Sequence, residues 1–365
     1  MNKSPMLLIG IGTAGSAIAR GINRAFSGEL RYVLADTDAN SGSDGGPFVL
    51  LGGERLSGLG AGGDIVAGRL AAESSIKLLD EHLEGVRLAV IVTSLGGGTG
   101  GGATLEAAKH LAFRGIPSIV FASTPFSFEG EERQRNSRGI MSMIEDAASA
   151  SFFLPLDKLV AGIDNMDEAM RRAVDTVASG VTLFWRLVEK PGYIRLDTER
   201  LRHILSNAGR GRFAAVTVQG PNRSVEAIDQ LIRSEMLAAA SAPVNSILCG
   251  VLAGEDLRLS EIGVLADGIR SAFGERHSFE LATVNDEATF CGRLSVVVML
   301  FETSRGNGEA DKNSGVMSAR KRRDKNPLGI GPSGRGRFKN AEPTIWNGED
   351  LDIPTFIRRN INLEF

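Results

Sequence analysis

The chain has 365 residues, of which 42% are hydrophobic and 23% charged, a composition typical of a soluble globular protein. Its two cysteines, Cys249 and Cys291, lack the spacing of a disulfide framework or a zinc site, and no apolar run reaches the roughly 18 residues of a membrane span. The net charge of -3 hides a basic segment at 311–340 and an acidic remainder. We expect an untargeted cytoplasmic protein whose tail differs from its body.

Up to about residue 150, short apolar runs alternate with segments of helical period, which predicts βαβ units around a parallel sheet. The predicted strands are 6–11, 31–35, 88–93 and 117–122, and the predicted helices are 64–83, 103–113, one from about 130, and 166–188. The last of these helices is long enough to bridge two domains.

The predicted fold class is α/β, with a Rossmann-like nucleotide-binding domain built on a parallel sheet and ending in the long central helix (1–188). An interdomain loop and helix (189–212) leads to a second α/β domain with a mixed sheet (213–303). In that domain we predict strands at 214–218, 246–252 and 294–301 and a helix at 224–239. Beyond Thr303 the periodicity is lost, which predicts a flexible basic linker (304–345) and a C-terminal segment (346–365).

Three glycine-rich stretches, at 10–15, 58–63 and 96–102, follow early predicted strands. The first, with Asp36 after the next strand, fits a dinucleotide-binding fingerprint, but it also fits a tight turn without a ligand. The third is broken only by Thr99, and so many glycines favour backbone N–H groups that point at phosphate oxygens. Since no lysine lies in the loop, we expect amides, Thr99 and a metal ion to neutralise the phosphates.

The segment SLGGGTGGG at 94–102 closely resembles the GGGTG(T/S)G signature of the FtsZ/tubulin family. Other family segments match in order and spacing: GIGTAGS (10–16), DTDAN (36–40), GLGAGGD (58–64), PFSFEGEERQ (125–134), SNAG (206–209) and DLDIPTFIRR (350–359). The chain is identified as a divergent member over essentially its whole length. The resemblance implies a GTPase that binds GTP or GDP with Mg²⁺, polymerises head to tail with copies of itself, and acts in cell division at mid-cell.

The resemblance also implies a nucleotide site. Its residues would be Gly12, Thr13, Ala14, Gly15, Ser16, Gly62, Gly63, Gly97, Gly98, Thr99, Gly100, Glu129, Arg133 and Asp175. Glu129 would accept hydrogen bonds from the ribose and Arg133 would lie along the nucleotide, although both could be ordinary surface residues at a helix start. Asp38 and Asp64 either organise water around Mg²⁺ or are solvated turn acids.

Three apolar residues stand where the family reads guanine through polar side chains: Ala17, Leu156 and Val174. Asp175 is adjacent to the last of them and could take over its role. A buried purine edge loses roughly 1–3 kcal/mol for each hydrogen bond left unmade. We therefore expect weak discrimination between GTP and other purine triphosphates.

The segment RLDTERL at 195–201 resembles the family loop whose acids complete the active site of the next subunit. Asp197 keeps the central acid and is the catalytic candidate, but Arg195 replaces an Asn and Arg200 falls on the second acid. Because this chemistry depends on positioning, we expect slow or absent hydrolysis. Alternatively, a cation there could stabilise charge on the phosphate, as an arginine finger does.

The C-terminal segment resembles the family peptide that binds membrane adaptors of the FtsA or SepF type. The residues implied in that contact are Asp352, Ile353, Pro354, Phe356, Ile357, Arg358 and Arg359. The basic run at 320–325 either attracts anionic lipid or nucleic acid or is simply solvated. A nucleotide-independent or non-hydrolysing scaffold and a Rossmann oxidoreductase are rival functions, and the third glycine loop and the tail argue against the oxidoreductase.

Overall fold

The computed structural model describes residues 4–28, 30–190, 192–196, 198–206, 208–237, 243–274 and 278–302, together with the short strands at 345–346 and 349–350. Asp197, residues 304–344 of the linker, and the segment from Asp352 to Arg359 lie outside the described residues. In the described part of the chain, no helix is long and apolar enough to cross a membrane.

Ten described strands form one sheet in the order β3-β2-β1-β4-β5-β6-β7-β10-β8-β9. The neighbours from β3 to β7 are parallel, β10 is antiparallel to β7 and β8, and β9 is parallel to β8. The strands are β1 (Met6–Ile11), β2 (Tyr32–Asp36), β3 (Phe48–Leu50), β4 (Leu88–Ser94), β5 (Ser118–Thr124), β6 (Ala150–Pro155), β7 (Arg210–Gln219), β8 (Val244–Ala253), β9 (Ser278–Asn285) and β10 (Arg293–Glu302).

Helices cover both faces of this sheet, which explains why its central strands read as continuous apolar runs. The helices are α1 (Gly12–Ala25), α2 (Gly53–Leu56), α3 (Ile65–Ser75), α4 (Gly98–Phe113), α5 (Glu131–Ala147), α6 (Leu156–Leu159), α7 (Met166–Glu189), α8 (Thr198–Ser206), α9 (Arg223–Arg233), α10 (Leu259–Phe273) and α11 (Glu287–Phe290). Short 3₁₀ turns lie at Ala39–Gly42, Ile76–His82 and Ser127–Glu129.

The predicted α/β class, the parallel sheet of the first half and the long central helix are confirmed. The central helix α7 buries Val181, Phe184 and Trp185 in a core that also includes residues of β5 and β10. The two predicted domains thus share one sheet, joined at β6 and β7, and one core. Their exact boundaries stay a prediction.

The chain divides into two compact units, Met1–Ala310 and Asp311–Phe365. The second of these units contains a short antiparallel strand pair. Strand β11 (Ile345–Trp346) pairs with β12 (Glu349–Asp350), and Ile345 lies opposite Asp350. The two residues between the strands are Asn347 and Gly348, the pair most favoured in two-residue hairpin turns. This local signal explains why the tail contains a strand pair.

Arg223 at the start of α9 ties that helix to the start of α10. The residue is only 5% exposed, and its guanidinium donates to both carboxylate oxygens of Glu261 at 2.7 and 3.0 Å and to Asp256 at 2.6 Å. The hydrogen bonds from Arg223 are the main reason that the pKa of Glu261 lies below its usual value.

We expect Arg223→Met to lower the free energy of unfolding by about 3 kcal/mol, because it leaves Glu261 without its partner. A lowered folded-state pKa stabilises the protein above the ordinary carboxylate pKa, and this contribution is lost as the pH falls through the folded value. Urea unfolding at neutral pH and at about pH 4 should therefore show the difference shrinking in acid. Arg233→Met, in an exposed pair with Asp229, is the control, and an equal effect of both changes would contradict this role.

Candidate functional site

Two helix N-termini meet at the carboxyl ends of neighbouring parallel strands. Helix α1 begins at Gly12 directly after β1, and α4 begins at Gly98 four residues after β4 ends. Neither helix has a side-chain cap or an acid in its first turn, whereas Asp64 and Asn165 cap α3 and α7. The N–H groups of the first turns and the positive ends of both helices are therefore available to one anion.

These helix ends border a cavity of about 510 Å³. Most of the predicted nucleotide residues line it, namely Gly12, Thr13, Ala14, Gly62, Gly63, Gly97, Gly98, Thr99, Gly100, Glu129 and Arg133. Asp36, Asp38, Leu59, Leu156 and Met170 also line it. A cavity of this size at the carboxyl edge of a parallel sheet is the usual position of a ligand in α/β proteins.

Three predicted residues are not among those that line the cavity, namely Gly15, Ser16 and Asp175. A Cβ on Gly15 would come within 2.3 Å of the Val92 carbonyl oxygen, so this glycine lets α1 pack against β4. Ser16 is buried, and its hydroxyl has no hydrogen-bond partner among the described residues. Asp175 lines two other cavities beside α7, neither of which includes residues of the glycine-rich loops. None of these three residues lines the nucleotide cavity, although Gly15 lies in the first turn of α1.

The glycines of the third loop serve two different purposes. A Cβ on Gly98 would lie 2.5 Å from the Asp64 carbonyl oxygen, and one on Gly100 would lie 1.9 Å from that of Ser94. Close packing thus requires glycine at these positions, contrary to the expectation that the whole run serves ligand approach. At Gly97, in contrast, a Cβ would meet nothing within 4 Å. Of these three glycines, only Gly97 has open space where a side chain would begin.

A chain of side-chain hydrogen bonds connects three loops of the site. The Asp36 carboxylate is buried and accepts from Ser41 Oγ at 2.6 Å, from Thr13 Oγ1 at 3.4 Å and from the Thr37 amide at 2.8 Å. The hydroxyls of Thr37 and Thr99 share a hydrogen bond of 2.6 Å. Asp36 therefore fixes the loop at 10–15 against the loop that follows β2, and Thr37 fixes the loop after β2 against the loop at 96–102.

Arg133 and Glu129 line the cavity as an ion pair. Arg133 Nη1 donates to Glu129 Oε2 at 2.6 Å, and Glu129 Oε1 accepts from the Phe126 amide at 2.8 Å. The implied Mg²⁺ is compatible with this cavity, because carboxylate oxygens of Asp36 and Asp38 line it. No group of three or more potential metal ligands occurs among the described residues, so phosphate and water oxygens would supply most of the coordination.

The remaining wall is apolar. Leu156 packs with Phe126, Val160, Ala169 and Ala173, and Met170 on α7 completes the surface beside it. Val174, which we predicted to face the base, instead packs against the main core. Met170 lies one turn earlier on α7, and its i, i+4 spacing from Val174 is the signal that could have identified it.

The residues that precede Asp197 are held against β9. The Ile194 amide donates to Thr283 Oγ1 at 2.9 Å, and the Ile194 carbonyl accepts from the Thr283 amide at 2.8 Å. Arg200, predicted to disturb the catalytic loop, instead donates to Glu280 on β9. Arg195 is exposed. The two arginines that flank Asp197 therefore have different surroundings.

The cavity, the uncapped helix ends and the parallel sheet are the features of a nucleotide-binding α/β domain. Residues 5–164 match the family model described as Tubulin/FtsZ family, GTPase domain. Over these residues the resemblance to the FtsZ/tubulin family predicted from the sequence is confirmed. A GTPase domain of this family implies binding of a guanine nucleotide.

Solved structures of this family share the fold. An FtsZ dimer from M. jannaschii is 22% identical with a TM-score of 0.75, covering 81% of this chain and 87% of that one. CetZ2 from Haloferax volcanii, a GTPγS-bound protofilament, is 21% identical with a TM-score of 0.68, over 82% and 93%. TubZ of Clostridium botulinum phage c-st is 12% identical with a TM-score of 0.60, over 83% and 94%.

Proposed function

We propose that this protein is a GTP-binding cytoskeletal protein that polymerises head to tail into filaments and hydrolyses GTP slowly at the contacts between subunits. The observation that carries the proposal is the convergence of two uncapped helix N-termini on one cavity. In hydrolysis, a water oxygen bonds to the γ-phosphorus, the bond to the β,γ-bridging oxygen breaks, and the water protons pass to phosphate or solvent. The loop that contains Asp197 would orient this water from the neighbouring subunit.

Exposed apolar side chains around the cavity support assembly. Leu59, which lines the cavity, is 85% exposed, and Val66, Phe128 and Met170 are also substantially exposed. Such side chains around a ligand site are typical of a surface that another protein covers. The similar FtsZ dimer and the CetZ2 protofilament agree with a second copy of this chain as that protein.

The proposed cellular role is cell division, with the filament in the cytoplasm at mid-cell. Residues 352–359 of the tail would connect it to a membrane adaptor of the FtsA or SepF type. A filament scaffold that does not hydrolyse nucleotide is the second candidate. It is favoured by Arg200, which occupies a position expected to hold an acid and is bound to Glu280.

Sedimentation in the presence of nucleotides tests the proposed function. We expect GTP to pellet the protein, and ATP to support pelleting at concentrations within about tenfold of GTP, because the apolar wall of Leu156 and Met170 offers the base no hydrogen bonds. Calorimetry with both nucleotides would measure their affinities directly. Absence of binding and of pelleting would refute the function, whereas a preference for GTP of several orders of magnitude would refute only the weak selectivity.

A further inference from the structure

The nucleotide cavity has little positive charge of its own. Three carboxylates line it, those of Asp36, Asp38 and Glu129, and among its described lining residues Arg133 is the one cation. Arg133 is paired with Glu129, and each helix N-terminus supplies only about half an elementary charge. A nucleoside triphosphate would therefore enter a site whose cationic groups do not balance its phosphates.

An exposed arginine lies on the loop that the proposed assembly brings to the next subunit. Arg195 is exposed and forms no hydrogen bond or ion pair within the described residues. Its position is nevertheless fixed, because Ile194 on one side is hydrogen bonded to Thr283 and Leu196 on the other side is buried. The order of this short segment reduces the entropy lost when Arg195 binds a partner.

The residues beside Arg195 are those of a contact surface. Tyr193 is 72% exposed, and Ile194 is partly exposed as well. An aromatic and an arginine together on an ordered loop are frequent at the centre of protein interfaces. Arg200 cannot play the same part, because its guanidinium is already engaged by Glu280.

We propose that Arg195 of one subunit binds the phosphates of the nucleotide held by its neighbour. This inference rests on the proposed head-to-tail assembly and adds a cation to it. A planar guanidinium makes paired hydrogen bonds to phosphate oxygens, and it would do so here at a contact that assembly separates from bulk solvent. The nucleotide is then held more tightly in the filament than in the monomer, which couples nucleotide occupancy to assembly.

The test compares nucleotide affinity in the monomer and in the filament. A fluorescent GTPγS analogue would be titrated into dilute protein and into pelleted filaments of the wild type, Arg195→Ala, Arg195→Lys and the control Arg202→Ala, an exposed arginine of α8. We expect Arg195→Ala to leave monomer affinity unchanged and to lower filament affinity about tenfold or more. Arg195→Lys should be intermediate, and Arg202→Ala should match the wild type.

A mixture of two variants shows whether the arginine acts across the contact. Gly97→Val would block the cavity but leave Arg195 in place, so mixing it with Arg195→Ala should restore tight binding to the Arg195→Ala subunits. An equal loss of affinity in the Arg195→Ala monomer would overturn the inference. The inference would also be overturned if Arg195→Ala weakened assembly but left the nucleotide affinity of the pelleted filaments unchanged. That result would place Arg195 against carboxylates of the neighbouring subunit. A wild-type protein that neither binds nucleotide nor pellets would instead refute the proposed function.

Discussion

Gly97→Val is expected to abolish nucleotide binding without unfolding the protein. Gly97 lines the cavity and precedes α4 in an extended conformation, with φ -109° and ψ 165°, which valine adopts readily. Its added side chain would meet no protein atom at the Cβ position and would occupy space that the phosphates need. Calorimetry with GTP should therefore show no measurable binding, while the unfolding temperature stays close to that of the wild type.

Two further glycine variants make this prediction specific. Gly139→Val, on the outer face of α5, also places a Cβ in open space, and it should bind nucleotide normally. Gly98→Val should lose binding together with stability, because its Cβ would clash with the backbone at Asp64. If Gly97→Val bound GTP like the wild type, the phosphates would have to lie elsewhere in the protein.

The sequence was informative about the fold wherever strands were long and buried. Strands β1, β4 and β5 are continuous apolar runs between helical segments, so their bounds were predicted to within about two residues. Strand β9 and helix α10 were missed. The two glycines of α10, Gly263 and Gly268, weaken its helical signal, and only the structure shows that α10 packs closely against Ile228 of α9 at Gly268.

At the nucleotide cavity, sequence motifs identified the glycine-rich loops but not the structural role of each residue in them. A run of glycines cannot reveal which members are required by packing and which face a ligand, because that depends on how closely α3 approaches α4. Asp36 was noted as part of a dinucleotide-binding fingerprint, yet its carboxylate accepts hydrogen bonds from Thr13, Thr37 and Ser41. Such roles arise from contacts between segments far apart in the chain.

The same holds for the wall that would face the base. Helical periodicity identified α7 but not which of its residues face the cavity. Val174 was therefore predicted to face the base, whereas in the structure Met170 lines the cavity. An error of one turn along a helix leaves the hydrophobic pattern almost unchanged, because residues four apart share a face. Only the packing of Leu156 with Ala169 and Ala173 fixes which turn borders the cavity.

Asp197→Ala is expected to lower GTP turnover at least about a hundredfold while leaving nucleotide binding intact. The described residues that line the cavity all lie between Ile11 and Met170, and we propose that Asp197 of a neighbouring subunit orients the attacking water. Turnover per molecule in the wild type should then rise with protein concentration, because each active site needs a subunit contact. Filaments of the variant should last longer, since their subunits stay in the triphosphate state.

Glu199→Ala is the matched control, because Glu199 is an exposed acid only two residues further along the chain. Its turnover should stay close to that of the wild type if Asp197 alone orients the water. Phosphate release and sedimentation would be measured on the same samples at several protein concentrations. Turnover that is independent of concentration and survives the loss of Asp197 would place the chemistry within one subunit, since no contact between subunits would then be needed to complete the site.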